Sequence, residues 1–307
     1  MVGFLGAVVA AAIVLISTSS IVLVESSITT FSKAFKPLYG ESNIVSYEDE
    51  GSVEIAMDEA TSSGFHSKEM YVQGYFETSL RLPESYTAGV VVTFYASNNQ
   101  KYPYRHDEID LEFLGRARGG TWSLQTNFYG GGHVERGREE RYDLWFDPSE
   151  DSHRYAIRWG PDRITYYVDG VPIRHVAKAP AMRAEFPNKE MRLYGTIWNG
   201  SDWATGGGRY KMDMSYGPFV AKYSGFVMNG CPFNGTGPRD CVDRGLTLTR
   251  EERLKMNGFR RRWMTYSYCY DIKRYPLSLP ECVFNSRELR HLQKLHPKTF
   301  GYSKNSN

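Results

Sequence analysis

Eight consecutive residues of this 307-residue chain concentrate acidic chemistry: His106-Asp107-Glu108-Ile109-Asp110-Leu111-Glu112-Phe113. In an extended strand successive side chains alternate faces, so Glu108, Asp110 and Glu112 share one side while Ile109, Leu111 and Phe113 share the other. A strand rises roughly 3.3 Å per residue, which sets the Cα atoms of Glu108 and Glu112 about 13 Å apart. Glutamate side chains leaning toward each other can narrow that to about 5 Å, the separation at which two carboxyls act as nucleophile and acid/base in a retaining glycosidase. Crowded carboxylates cannot all ionise freely, so a neighbour raises one pKa, as a general acid requires.

Two other arrangements share this pattern: a solvated acidic strand face, and a calcium site, since hard cations also recruit clustered carboxylates. Like charges repeated along one strand face cost stability, which weighs against the first. No Gly-punctuated loop of oxygen ligands accompanies the acids, which weighs against the second.

The elements that must position these acids read as strands. Val53-Glu54-Ile55-Ala56-Met57 alternates apolar and polar residues between Gly and Ser breaks, and Val90-Val91-Val92-Thr93-Phe94-Tyr95 is a β-former run of the kind buried on both faces. Trp122 to Phe128 alternates again and puts Gln125 and Asn127 on one face, where amides suit sugar hydroxyls; an ordinary polar strand face reads the same way. Tyr155-Ala156-Ile157-Arg158-Trp159 and Ile164 to Val168 flank a Gly160-Pro161-Asp162 turn, and repeated short strands with tight turns indicate a two-sheet sandwich. Trp198 and Trp203 bracket a polar loop that reaches Gly206-Gly207-Gly208. Indole faces stack on the apolar face of a pyranose and Asp202 can hold hydroxyls, though paired core tryptophans are the alternative. Thr249 and Glu252 form a capping box for a helix toward Trp263, whose Arg260-Arg261-Arg262 end suits the negative pole of the macrodipole. Met264 to Tyr270 alternates as a strand, and from Ser286 the chain is polar and basic, reading as a loose tail.

Charge is nearly balanced at +2 and aromatic content is 14%, so the chain lacks the electrostatic grip expected of a nucleic-acid binder and suits a neutral polymer. Neither a dinucleotide fingerprint, a P-loop nor a Ser-His-Asp constellation stands out. Met1 to Val24 is apolar apart from Ser17-Thr18-Ser19-Ser20 and reads as a secretory signal with a cleavage position near Ser26. It lacks a basic residue before the apolar run, the first being Lys33, so an uncleaved anchor is the alternative. The 4 cysteines, Cys231, Cys241, Cys269 and Cys282, lie in the last third. An even count after a secretory start reads as disulfides, with about three connectivities open for four cysteines; their spacing does not suit zinc.

The acidic stretch resembles the active-site motif of plant xyloglucan endotransglucosylase/hydrolases of glycoside hydrolase family 16. Further similarity follows in Gln125-Thr126-Asn127, Trp145-Phe146-Asp147-Pro148, Trp198 to Thr205 and the cysteine-bearing C-terminal region, so it runs from about Tyr39 to about Cys282. The resemblance implies an all-β fold: a curved antiparallel two-sheet jelly-roll sandwich, concanavalin A-like, with a short C-terminal helix-plus-strand extension. It divides the chain into a signal peptide (1–26), a catalytic domain (27–228), a disulfide-bonded extension (229–285) and a polar tail (286–307). It also implies pairing of Cys231 with Cys241 and of Cys269 with Cys282. Glu108 is then the nucleophile, Glu112 the general acid and base, and Asp110 the carboxylate that tunes Glu108. Gln125, Asn127, Arg138, Glu139, Trp198, Asp202, Trp203, Tyr266 and Arg274 fall where the family contacts sugar. His106 is expected to support the strand edge and contact the substrate cleft, with a plain structural histidine as the alternative.

Two glycosylation sequons are present, Asn199-Gly200-Ser201 and Asn234-Gly235-Thr236. Modification is expected at Asn234, and not at Asn199, where a glycan would stand in the cleft loop. Arg116-Ala117-Arg118 occupies the place where many relatives carry a sequon, which resembles the subgroup lacking that glycan. The activity implied is cleavage of internal β-1,4-glucan bonds in xyloglucan and transfer of the fragment to another xyloglucan chain, by a secreted cell-wall monomer without metal or organic cofactor. Net hydrolysis and a non-catalytic, lectin-like glucan-binding module are the competing functions; three aligned acids argue against the lectin, because binding neutral sugar does not need carboxylates that repel one another.

Overall fold

A computed structural model describes residues 28–233, 235 and 247–300. The proposed signal segment, Asn234, Cys241 and the residues after Phe300 lie outside the described residues. Among those described, no helix is long and apolar enough to cross a membrane.

Two eight-stranded antiparallel sheets make up the body. In spatial order, one sheet consists of Met264–Ser267, Glu140–Asp143, Ser123–Tyr129, Glu108–Leu114, Val90–Ser97, Arg192–Asn199, Ser63–Ser67 and Phe35–Tyr39. The acidic strand therefore lies near the middle of a sheet, flanked by Ser123–Tyr129 and Val90–Ser97. The other sheet is built around Tyr71–Arg81, paired with His153–Trp159 on one side and Phe219–Pro232 on the other.

Period-two alternation explains how the sheets meet. Ile109, Leu111 and Phe113 are fully buried in one core with Phe76, Leu80, Ile157 and Tyr223 of the opposing sheet. The rings of Phe113 and Tyr155 meet edge-on at 4.6 Å between centroids, and the Tyr223 hydroxyl donates to the Thr93 carbonyl at 2.8 Å. Full burial of such a side chain contributes about 1.5–3 kcal/mol, so the apolar comb fixes the register of the strand that carries the acids. A one-residue slip would turn the three carboxylates into the core.

The C-terminal region joins the sandwich as a new edge. Thr249 and Glu252 cap the helix Arg250–Trp263 reciprocally, Glu252 accepting from the Thr249 N–H at 2.8 Å and returning its own N–H to the Thr249 hydroxyl at 3.2 Å. Met256 and Phe259 bury its inner face. The chain then enters Met264–Ser267, which pairs with Glu140–Asp143, and turns through a 3-10 segment at Tyr268–Tyr270 where a continuous strand was expected. Cys269 and Cys282 form a disulfide; Cys231 is disulfide-bonded as well.

Two expectations change here. Arg260 is not a solvated partner of the helix dipole: its guanidinium bridges buried Glu140 and Glu288. The polar tail is not loose over its first half, because Ser286–Leu295 is a helix N-capped by Asn285. Leu292 and Phe300 pack into the core, while Arg260 and the Tyr270 hydroxyl satisfy Glu288. Composition showed the charges of this segment and hid the partners that neutralise them.

Candidate active site

Register brings the sequence-predicted groups into rows. Glu108 pairs with Ser97 and Tyr129, Asp110 with Tyr95 and Asn127, and Glu112 with Thr93 and Gln125. The side chains of these positions share the open face of the sheet. There Tyr39, Thr93, Tyr95, Thr196 and Trp198 join Glu108, Asp110, Glu112 and Asn127 around a cavity of about 360 Å³.

Each acid has its own partner. The Tyr129 hydroxyl donates to Glu108 Oε1 at 2.7 Å, the Gln125 amide donates to Glu112 Oε2 at 2.6 Å, and the Asn127 side chain hydrogen-bonds Asp110. Asp110 is 5% exposed, whereas Glu108 and Glu112 keep part of their surface open to the cleft. Burial pushes all three upward: Glu112 reaches about 7, and Asp110 rises well above the usual carboxylate range, with the charges of Glu108 and Glu112 adding to it. Hydrogen bonds from Tyr129 and Ser97 offset part of that rise at Glu108. Glu112 is thereby suited to hold a proton near neutrality, the property a general acid needs.

Outer contacts fix this row. Gln125 accepts from Arg141 Nε at 2.6 Å, and the Arg141 guanidinium lies over the Tyr266 ring. Asn127 accepts from the Arg138 backbone N–H at 2.7 Å. Asp107, fully buried behind the motif, accepts the N–H groups of Gly131, Asn188 and Lys189 and pairs with the Lys189 ammonium, which anchors the strand entry. His106 stands 4.0 Å from Glu108 and 2.8 Å from the Tyr129 hydroxyl.

Trp198 and Trp203 meet at 6.1 Å between ring centroids and pack on Val91, Leu114 and Ala204. Trp198 pairs with Val91, and Val91 with Leu114, so this aromatic wall stands one row beyond Glu112. The loop behind it is latched by Thr205, whose hydroxyl accepts from the Gly89 N–H and donates to the Gly115 carbonyl. Gly208, at φ +83°, admits no side chain there, since a Cβ would lie 2.1 Å from the Asp202 carbonyl oxygen. The Asp202 side chain is fully exposed and 3.3 Å from Lys211. Tyr266, Glu139 and Arg274 gather on the opposite flank: Arg274 makes a two-pronged contact with Glu139, and the Tyr266 hydroxyl donates to Asp271.

Arg138 is a correction. Its side chain is completely buried and paired with Glu281 and Glu185, so it does not face glucan, while its backbone N–H donates to Asn127. A second correction concerns Asn199, which is exposed and follows Trp198 on the strand, hence on the other face. The ground for expecting obstruction by a glycan there does not hold. Sequence reading missed Tyr129, Tyr95, Thr93 and Thr196. The strand alternation that selected the acids also placed them on this face, but the cross-strand register was needed to see it.

Residues 31–216 match the family described as Glycosyl hydrolases family 16, and residues 237–282 match the Xyloglucan endo-transglycosylase (XET) C-terminus. The chain is 47% identical over 282 residues to probable xyloglucan endotransglucosylase/hydrolase protein 27 of Arabidopsis thaliana, covering 89% of this chain and 85% of that one. It is 46% identical to probable protein 28 of the same plant over 279 residues, 88% of this chain and 84% of the relative. In fold it is similar to a Bacillus licheniformis β-glucanase, with TM-score 0.50 and 23% identity over 63% of this chain and 90% of that one. Crh5 transglycosylase gives TM-score 0.51 and 23% identity over 65% and 80%. A shared sandwich, two matching family segments and near-half identity over most of its length place the chain in glycosyl hydrolases family 16, among the plant xyloglucan endotransglucosylase/hydrolases.

Proposed function

We propose that this chain cleaves internal β-1,4-glucan bonds of xyloglucan with retention and passes the fragment to a second xyloglucan chain, remodelling the plant cell wall. Glu108 is the nucleophile, Glu112 the proton donor and then acceptor, and Asp110 the carboxyl between them that tunes and orients Glu108. The observation that carries this reading is the row of three carboxyls on one open sheet face, with Glu112 raised to about 7 by burial and hydrogen-bonded to Gln125. An acid that keeps its proton near neutrality can protonate a leaving sugar oxygen, and an ionised partner on the same strand can attack the anomeric carbon.

Binding follows from the flanks. The Trp198–Trp203 wall offers indole faces to pyranose rings. Gln125, Asn127, Tyr266, Glu139 and Arg274 supply polar partners on the other flank, and the C-terminal strand that carries Tyr266 lengthens that side. Export through removal of the segment ending near Ser26, action in the wall and apoplast as a monomer, and a glycan at Asn234 complete the reading. Incubating the protein with xyloglucan and a labelled xyloglucan oligosaccharide tests it. Label should enter polymer, and reducing ends should appear more slowly than label is incorporated. Reducing-end release that ignores the acceptor, with no label in polymer, would make the protein a hydrolase.

A further inference from the structure

Tyr129 has no role in the two-carboxylate scheme, yet it touches the nucleophile. Its hydroxyl is 2.7 Å from Glu108 Oε1 and 2.8 Å from His106 Nε2. A phenol has a single proton and an ionised carboxylate can only accept, so that proton points at Glu108. The second contact must then be donated by His106 Nε2–H, which leaves the lone pair of the neutral ring on Nδ1. That atom is buried and has no hydrogen-bond partner among the described residues, a situation a lone pair tolerates better than a second N–H would.

Resting on the glycosyl-transfer reading above, we propose that Tyr129 is a catalytic residue of the second chemical step, donating to the Glu108 carboxylate as it departs, and that His106 is the positioning residue that holds the phenol. In the first step a Glu108 oxygen uses its electron pair to bond the anomeric carbon. The glycosidic bond breaks, and its oxygen takes the proton of Glu112. In the second step the acceptor hydroxyl oxygen bonds the same carbon and gives its proton to Glu112, while the electrons of the ester bond return to Glu108. Charge on Glu108 is lost in the first step and regained in the second. A hydrogen bond to the charged carboxylate therefore opposes attack slightly and assists departure. A residue that merely packed would favour neither step.

Tyr129→Phe keeps the ring and removes the hydroxyl. Turnover of xyloglucan oligosaccharide donor should fall about tenfold or more, as loss of one well-placed donor generally costs. The fraction of enzyme caught as glycosyl adduct, read by acid quench and intact mass, should rise above wild type. The acidic limb of the rate profile should move to higher pH, because Glu108 loses a bond that favours its ionised form. His106→Gln, whose amide can still donate to the phenol, should resemble wild type more closely than His106→Ala. If Tyr129→Phe does not fold, His106→Ala carries the same two readouts with the phenol unheld. An adduct fraction and acidic limb equal to wild type would overturn the inference while leaving the nucleophile assignment standing. Turnover retained by Glu108→Ala would instead remove the reading beneath it.

Discussion

Burial that raises Glu112 to about 7 suits the proton donor proposed above and costs stability. A carboxyl whose folded pKa exceeds its unfolded value binds its proton more tightly in the folded chain, so stability falls as pH rises from about 4.3 through about 7. Glu112→Gln abolishes the ionisation and keeps the shape. It should eliminate turnover while raising stability at pH 8 by about 1–3 kcal/mol, seen as a higher melting temperature that vanishes near pH 4. For the same reason kcat/KM of the wild type should decline as pH rises through about 7, when the acid loses its proton. Glu108→Ala should also be inactive, with a melting temperature close to wild type, since the group faces the cleft and not the core. That the three acids share one open face was legible because strand alternation is periodic. Arg138 was misread because sequence shows a charge without its burial: Glu281, its closest ion-pair partner, is 143 residues away along the chain.

At the scale of elements, the C-terminal extension is fastened to the catalytic sheet by ion pairs, and these govern its response to acid. Burial pushes Glu140 upward, but Arg260 and Arg174 outweigh it and hold the carboxyl down to about 2. Its folded pKa thus lies below the unfolded value, so its stabilisation is full above about 4.3 and is lost as pH falls toward 2. A shift of that size corresponds to about 3 kcal/mol. Glu140→Gln should therefore melt earlier than wild type at pH 7, and the difference should shrink at low pH. Glu281→Ala should destabilise by about 3 kcal/mol, because it leaves the buried Arg138 guanidinium short of a partner. It should also slow turnover, since the Arg138 N–H orients Asn127 against Asp110. The sandwich, the capped helix and the edge strand from Met264 could be read from alternation, turns and the capping box. The packed helix Ser286–Leu295 could not, because its buried Glu288 owes its place to Arg260, a contact that local pattern does not encode.

Among the described residues the open face runs from the Trp198–Trp203 wall, across the three acids, to a flank formed by Tyr266 of the C-terminal strand and Arg274 of the turn that follows it. Transfer and hydrolysis share the same intermediate and differ in what attacks it, so binding of an acceptor sugar decides between them. Trp203→Ala should reduce transfer to a labelled oligosaccharide more than cleavage of donor, with stacking accounting for about 1 kcal/mol or more. All of this depends on a covalent intermediate on Glu108. The direct measurement is peptide mapping of protein quenched during turnover with a xyloglucan oligosaccharide donor. The account predicts a glycosyl mass on the peptide containing Glu108, released when acceptor is added. An adduct on any other residue, or full turnover without one in conditions that trap such esters, would contradict it.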